Sequence, residues 1–386
     1  MAPPQRKLAI VGASARAAAH SAIRAGFDVT TADLFADADL ADACPATRIT
    51  HYPAGLSDWL AASDCDAWMY TGAIENHPDL VDRMAALRPL LGNGGTALRD
   101  VRDPQKLQAA LETAGVAFPE TRTSADGLPR DGSWLCKTYR GASGSGVWRL
   151  DGAAALDRAT REHAVFQQFI AGVPCAAVFA AGDGRAQLLG VTRQLLAADA
   201  DRPWQYVGSI GPLPLAAEVQ RQIDRLSQTV AATFQLRGLA GIDFVLAGER
   251  PWVVEVNPRY TASVEILERA AVVDALGMHV AACTGVSLAG ELRASLASPP
   301  GAAPPIHGKT IVFASQPVQI TSSFFDWARE LAAQGPHPIL ADVPHAGEAI
   351  AAGRPILTVF AAGDGVDDCQ RRLGERVAMV ESRLGE

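Results

Sequence analysis

The sequence predicts a multidomain chain of α/β and α+β type, and three observations carry that expectation. The chain has 386 residues, and at about 150 residues per domain this implies two or three domains. Its first hundred or so residues alternate short apolar strands with helical patterns, the signature of an open, mainly parallel sheet. After them strands and amphipathic helices mix, until a proline-rich linker, Ser298–Pro305, sets residues 306–386 apart.

Composition narrows the function classes. Lys and Arg total 34 against 42 for Asp and Glu, a net charge of −8, and hydrophobic residues make up 48%. That excludes intrinsic disorder, a collagen-like repeat and a generally basic nucleic-acid binder, and it disfavours anionic membranes. The six cysteines form no C-x-x-C pair, so neither a metal knuckle nor a disulfide framework is expected. Reduced thiols in a cytoplasmic protein fit better. The N-terminus, MAPPQRKLAIVG, lacks the apolar run of a signal peptide. The most apolar stretch, Ala270–Leu288, is interrupted by Asp274 and His279, so no transmembrane helix is expected. Lysine is sparse: Lys7, Lys106, Lys137 and Lys309 stand against thirty arginines. Codon bias accounts for the arginines but leaves open what retains each lysine.

The elements follow in order. KLAIVG is a first strand, residues 13–24 a helix, FDVTTAD and DAWMYTG further strands, and 77–87 a helix. Gly12-Ala13-Ser14 lies where a doubly wound sheet places a ligand loop. It lacks G-x-G-x-x-G, which counts against a nicotinamide-dependent oxidoreductase. Asp103 is an N-cap followed by an N1 proline, and the helix so started should end at Gly115 with Lys106 in its first turn. Residues 116–190 read as mixed strands. Val219, Ile223, Leu226, Val230 and Phe234 fall on one helical face. A hairpin and a helical stretch over 262–296 precede the linker. The C-terminal region reads as a small β-rich module.

Three constellations carry chemistry. In AGIDFVLAGERPWVVEVNPR, residues 240–259, two alternating runs flank a turn at Ala247–Arg250. The alternation assigns Ile242, Phe244, Leu246, Trp252, Val254 and Val256 to the core face. Asp243, Glu255 and Asn257 then share the opposite face. A register pairing 243 with 255 sets two carboxylates across from each other, which is destabilising unless a cation neutralises them. Three oxygen donors, completed by phosphates and waters, suit Mg²⁺, or Mn²⁺. The competing reading is a solvated polar face. Second, a strand delivers Lys137 to a loop containing Gly141, Ser143, Gly144, Ser145 and Gly146. Exposed backbone N–H groups there can approach phosphates, with the ammonium as a point charge; a plain surface turn is the alternative. Third, Gln167, Gln168, Phe169 and Ile170 form a half-apolar strand able to hold a purine, or simply a strand. No H-E-x-x-H or G-x-S-x-G occurs, so neither a zinc nor a serine hydrolase has support.

Taken in order, Lys106, the Lys137 strand and its glycine loop, the strand near 168 and the D…E-x-N hairpin ending in Glu255–Arg259 resemble the ATP-grasp superfamily. Within it the chain looks most like the ATP-dependent carboxylate–amine ligases related to biotin carboxylase, a branch associated with tetrahydromethanopterin-type one-carbon cofactor synthesis. The resemblance implies a Rossmann-like preATP-grasp domain over 1–100 and an ATP-grasp core over 101–298 with a lid subdomain at about 118–190. A small β-rich domain over 306–386 completes it. It implies that Lys106 and Lys137 contact ATP phosphates, that 141–146 is a lid loop, and that 167–170 lie beside adenine. Asp243, Glu255 and Asn257 would hold Mg²⁺, and Arg259 the transferred phosphoryl. Arg193 is a second candidate for the anionic substrate. Two departures stand out: the position near 167, often acidic in the family, is Gln, and no ribose-binding acid follows Ile170. The implied partners are a small-molecule carboxylate and amine, with no nucleic acid or membrane; a homodimer is left open. An ATP-dependent carboxylase and a non-catalytic nucleotide-binding regulator remain as alternatives. The C-terminal region cannot carry biotin in the usual way, since its one lysine, Lys309, stands near its start.

Overall fold

A computed structural model of the chain describes residues 6–199, 201–270, 273–285 and 305–385. The predicted linker, apart from Pro305, and the end of the 262–296 stretch lie outside the described residues. Strand β1 (Lys7–Val11), helix α1 (Arg16–Arg24), β2 (Asp28–Asp33), α2 (Ala38–Ala43), β3 (Ala46–Arg48), α3 (Gly55–Ala62) and β4 (Ala67–Tyr70) build the first layer. Its sheet is parallel, in the order β3-β2-β1-β4. Ile10, Met69 and Trp68 are fully buried in it, because a parallel strand covered on both faces must be apolar throughout. Helices α4 (Pro78–Leu87), α5 (Gly95–Val101) and α6 (Pro104–Thr113) lead out of this domain. The Asp103 carboxylate caps α6 by accepting from the N–H groups of Gln105 and Lys106, as the sequence predicts.

A small antiparallel sheet follows, made of β5 (Thr121–Arg122), β6 (Trp134–Lys137), β7 (Val147–Arg149) and β8 (Val165–Gln168), with α7 (Ala153–Arg161) packed on it. The chain then enters a larger antiparallel sheet through β9 (Val173–Gly182), β10 (Arg185–Leu196) and β11 (Tyr206–Gly211). The small sheet therefore closes at residue 168, short of the expected boundary near 190. Helix α8 (Ala217–Thr233) buries Val219, Ile223, Leu226 and Val230 against one face of the large sheet. Each such side chain contributes about 1.5–3 kcal/mol. The hairpin β12 (Gly238–Ala247) and β13 (Arg250–Asn257) and the helices α9 (Ala262–Ala270) and α10 (Ala275–Thr284) complete the core.

The C-terminal region does not stand apart. Strand β14 (Ile306–Phe313) pairs with β11, so the large sheet runs through eight strands, β13-β12-β9-β10-β11-β14-β18-β16. The intervening β15 (Val318–Gln319) and β17 (Ala349–Ile350) form a separate ribbon, while β16 (Leu340–Ala341) and β18 (Pro355–Gly363) close the edge. The region is also less β-rich than its turns suggest. It ends in the 19-residue helix Val366–Leu384, which buries Cys369, Leu373 and Val380. Apolar residues therefore fill the α8 side of the large sheet. Its other side packs Val178, Ala180 and Leu239 into a core shared with the first domain and also carries the polar groups Thr192, Gln194 and Asp243.

Candidate active site

The hairpin has the predicted register at its polar end: Asp243 faces Glu255 and Ile242 faces Val256. A β-bulge then intervenes, and Phe244 pairs with Val253. Strict alternation assigns Trp252 and Val254 to the core. The extra residue instead puts Val253 there, fully buried, and leaves Trp252 and Val254 partly exposed. A bulge frees backbone groups from the ladder, and here the Val254 carbonyl accepts from Lys137 Nζ at 3.0 Å.

Lys137 reaches this point from β6. Its ammonium also donates to Gln167 Oε1 at 3.1 Å, and Gln167 is held in turn by Thr121 at 3.1 Å. Burial lowers the Lys137 pKa, while the charges of Glu255 and Asp243 oppose that shift. Asp243 accepts from Gln194 Nε2 and Asn257 Nδ2, each at 3.0 Å. Its carboxyl is pushed up to about 7, first by burial and then by Glu255. Two carboxylates set across from each other, one of them disfavoured as an anion by burial and by the other, are oxygen donors of the kind a hard cation takes.

Arg259 closes the constellation. It pairs with the buried Glu75 at 2.7 Å, donates to Asn257 Oδ1 at 3.1 Å and lies against Gly72, where a Cβ would stand 3.6 Å from the guanidinium carbon. Burial opposes the charge on Glu75, but Arg259 outweighs it and holds the carboxyl below its ordinary value. Glu75 thus ties the first domain to the end of the hairpin. The Arg259 Nε and Glu75 Oε2 atoms are buried without a hydrogen-bond partner, and such groups mark a place where a further polar partner is accommodated.

The glycine loop is folded down. Ser143, Gly144 and Gly146 have positive φ (52°, 80° and 76°), and a Cβ on Gly144 would meet the Trp204 carbonyl oxygen at 1.7 Å. The Ser143 carbonyl accepts from the Tyr206 N–H at 3.1 Å, and Asn76 Nδ2 donates to the Gly141 carbonyl at 3.3 Å. The loop therefore touches both the large sheet and the first domain. Ser145 caps its own turn by bonding to Ala142.

Other expected residues lie elsewhere. Lys106 is exposed and paired with Asp100, outside the small cavity lined by Lys137, Gln167 and Glu255. Arg102, one turn earlier, lines that cavity instead. It lies 3.8 Å from Glu75 and 4.0 Å from Glu255. Arg193 shares the α8 side of β10 with Val191, whereas Thr192 and Gln194 point to the polar side. Period-two alternation, applied to Val191–Gln194, would have selected Gln194. Gln168 is exposed, and Phe169 packs on Trp204 at 5.7 Å beneath the Arg149 guanidinium at 4.0 Å. Nothing in the sequence marked Arg102, since it precedes its helix cap and follows no period.

Residues 101–263 match the family model of the ATP-grasp domain. The chain has the ATP-grasp fold. Among solved structures it is similar to biotin carboxylase from Campylobacter jejuni (13% identity, TM-score 0.72, covering 94% of this chain and 89% of that one). It is also similar to carboxyaminoimidazole ribonucleotide synthase from Aspergillus clavatus, complexed with ATP (13%, TM-score 0.71, 98% and 99%). A third is an L-amino acid ligase from Bacillus licheniformis (16%, TM-score 0.69, 96% of each). At these identities the likeness is one of fold. A curated relative, the uncharacterized protein MJ0776 of Methanocaldococcus jannaschii, is 22% identical over 191 residues. That match spans 47% of this chain and 46% of the relative, about half of each. Among the described residues no helix is long and apolar enough to cross a membrane.

Proposed function

We propose that the protein is an ATP- and Mg²⁺-dependent ligase that activates a substrate carboxylate as an acyl phosphate for attack by an amine. The observation that carries this reading is the convergence of Lys137, Asp243, Glu255, Asn257 and Arg259 beside a glycine loop. Asp243 and Glu255 would hold the metal, with Asn257 beside them; the ion would supply charge neutralisation at the phosphates. Lys137 and the 141–146 N–H groups bind phosphate oxygens, and Arg259, kept in place by Glu75, steadies charge on the transferred group. The protein contributes positioning and electrostatics.

In the first step a carboxylate oxygen attacks the γ-phosphorus, the bond to the ADP oxygen breaks and an acyl phosphate forms. In the second an amine nitrogen attacks the acyl carbon, loses a proton and expels phosphate. The folded-down loop keeps water from the acyl phosphate. The branch resemblance directs the substrate search first to tetrahydromethanopterin-type one-carbon cofactor synthesis. A carboxylase reading uses the same site with bicarbonate as the acid, and the biotin carboxylase likeness favours including it. The test is incubation with ATP, Mg²⁺, bicarbonate and pools of carboxylates and amines. ADP and phosphate are expected; AMP and pyrophosphate would reject the acyl-phosphate route.

A further inference from the structure

A cavity of about 660 Å³ lies apart from the Lys137 cluster, between the first domain, the glycine loop and the C-terminal strands. Its walls include Phe35, Trp204, Tyr206, Ile311 and Phe313. Three carboxylates, Asp37, Asp201 and Asp342, and three arginines, Arg158, Arg202 and Arg354, also line it. Asp37 is 7% exposed. It stands at the N-cap position of α2, yet its side chain caps nothing. Among the described residues its carboxyl accepts no hydrogen bond, although the turn presenting it is firmly built. Asp33 accepts from the N–H groups of Ala15, Phe35 and Ala36 at 2.7–2.9 Å.

The charges around Asp37 do not balance. Asp33, Asp39, Asp342 and Arg16 act on it. Arg16 is already engaged by Glu265 and by Asp342, at 2.8 Å to the latter, and Lys309 is engaged by Glu265 at 3.0 Å. Of the arginines on the cavity wall, Arg158 and Arg202 are held by Glu162 and Asp199, and the chief charges acting on Asp37 are three carboxylates and the already engaged Arg16. The nearby His20 is neutral, its pKa lowered to about 4, first by burial and then by Arg16. Arg269 stacks on the Phe360 ring at 3.4 Å. A carboxylate unpartnered among the described residues and facing aromatic walls suits an organic cation.

We propose that this cavity binds the amine substrate, a primary amine on a flat apolar body, with Asp37 receiving the amino group and Phe35, Trp204 and Phe313 enclosing the body. This deepens the ligase reading and rests on it for the word substrate. Burial first, and Asp342 second, raise the Asp37 pKa well above its ordinary value, and an ammonium partner would offset the cost of holding a negative charge there.

The test uses the full chain and a matched pair of probes, 2-phenylethylamine and 3-phenylpropionate, followed by calorimetry without ATP. The amine should bind about tenfold or more tightly than the acid, and Asp37→Asn should weaken it by about tenfold or more, as loss of a charge-assisted hydrogen bond implies. Phe35→Ala should weaken it independently, which keeps the test open if Asp37→Asn folds poorly. Equal binding of both probes, or unchanged amine binding by a folded Asp37→Asn, would overturn the proposal. The thermal shift given by Mg·ATP is recorded on the same samples. If that shift is present and the amine does not bind, only the cavity proposal falls; if the shift is absent from the wild type, the ligase reading falls.

Discussion

Glu265→Gln should cost stability, and the structure sets the size of the loss. Glu265 lies at the junction of three regions: α1 supplies Arg16, α9 supplies Glu265 and β14 supplies Lys309. All three side chains are less than 10% exposed. Breaking a buried pair from one side costs about 3–5 kcal/mol, because the remaining charge is left uncompensated. Arg16 keeps Asp342 at 2.8 Å, whereas Glu265 is the only ion-pair partner of Lys309 among the described residues. The loss should therefore fall at the low end, about 3 kcal/mol. Adding Lys309→Met removes the stranded ammonium and should recover most of it. Urea unfolding followed by tryptophan fluorescence reads both variants. The pH dependence has a fixed sign. Burial opposes the Glu265 charge, but Arg16 and Lys309 outweigh it and hold its pKa well below 4.5. Its contribution is therefore full above the unfolded-state value and is lost as pH falls through the lower folded-state value. The cost of the substitution should be constant near neutrality and shrink in acid. A Glu265→Gln protein within about 1 kcal/mol of wild type, or a double variant no better than the single one, would refute the reasoning.

Other outcomes follow from the site. Lys137→Met should raise the KM for ATP about tenfold or more, since it removes a charged hydrogen-bond donor, while Lys106→Ala, exposed and paired with Asp100, should change it less than about twofold; steady-state kinetics reads both. Gly144→Ala should abolish turnover at moderate cost in stability, because its Cβ would collide with the Trp204 carbonyl at a φ of +80°; single-turnover ADP release and a melting curve separate the two. Gln194→Leu should weaken metal-dependent ATP binding through Asp243, whereas Arg193→Leu on the opposite side of β10 should not; magnesium titration at fixed ATP distinguishes them.

The legible parts of this protein were those set by period and by caps. The apolar run at Lys7–Val11, the Asp103 cap and the apolar stripe of α8 with Phe234 just beyond its end rest on local chemistry, and the structure has each in place. The 243–255 pairing was legible because two alternating runs around a short turn admit few registers. What the sequence hid was longer in range. The bulge that moves Val253 inward depends on how β13 meets its partner, and no propensity marks it. Lys106 carried the expected charge at a plausible spacing, yet its helix turns that residue to solvent and leaves Arg102 facing the cleft. Arg193 has the charge an anionic substrate needs, but its parity in β10 turns it to the α8 side. Asp37 and Asp342 are 305 residues apart, and only the folding of the C-terminal strands onto the central sheet brings them to one cavity.

Asp243 and Glu255 are proposed to form a metal-dependent nucleotide site. Thermal unfolding of wild type and Glu255→Gln, each with ATP alone and with Mg·ATP, tests it most directly. At ligand a hundredfold above Kd, binding stabilises the native state by about 2.7 kcal/mol. The wild type should show that increment with Mg·ATP, well beyond the effect of ATP alone, and Glu255→Gln should lose the metal-dependent part. Equal stabilisation of both proteins by Mg·ATP would contradict the assignment.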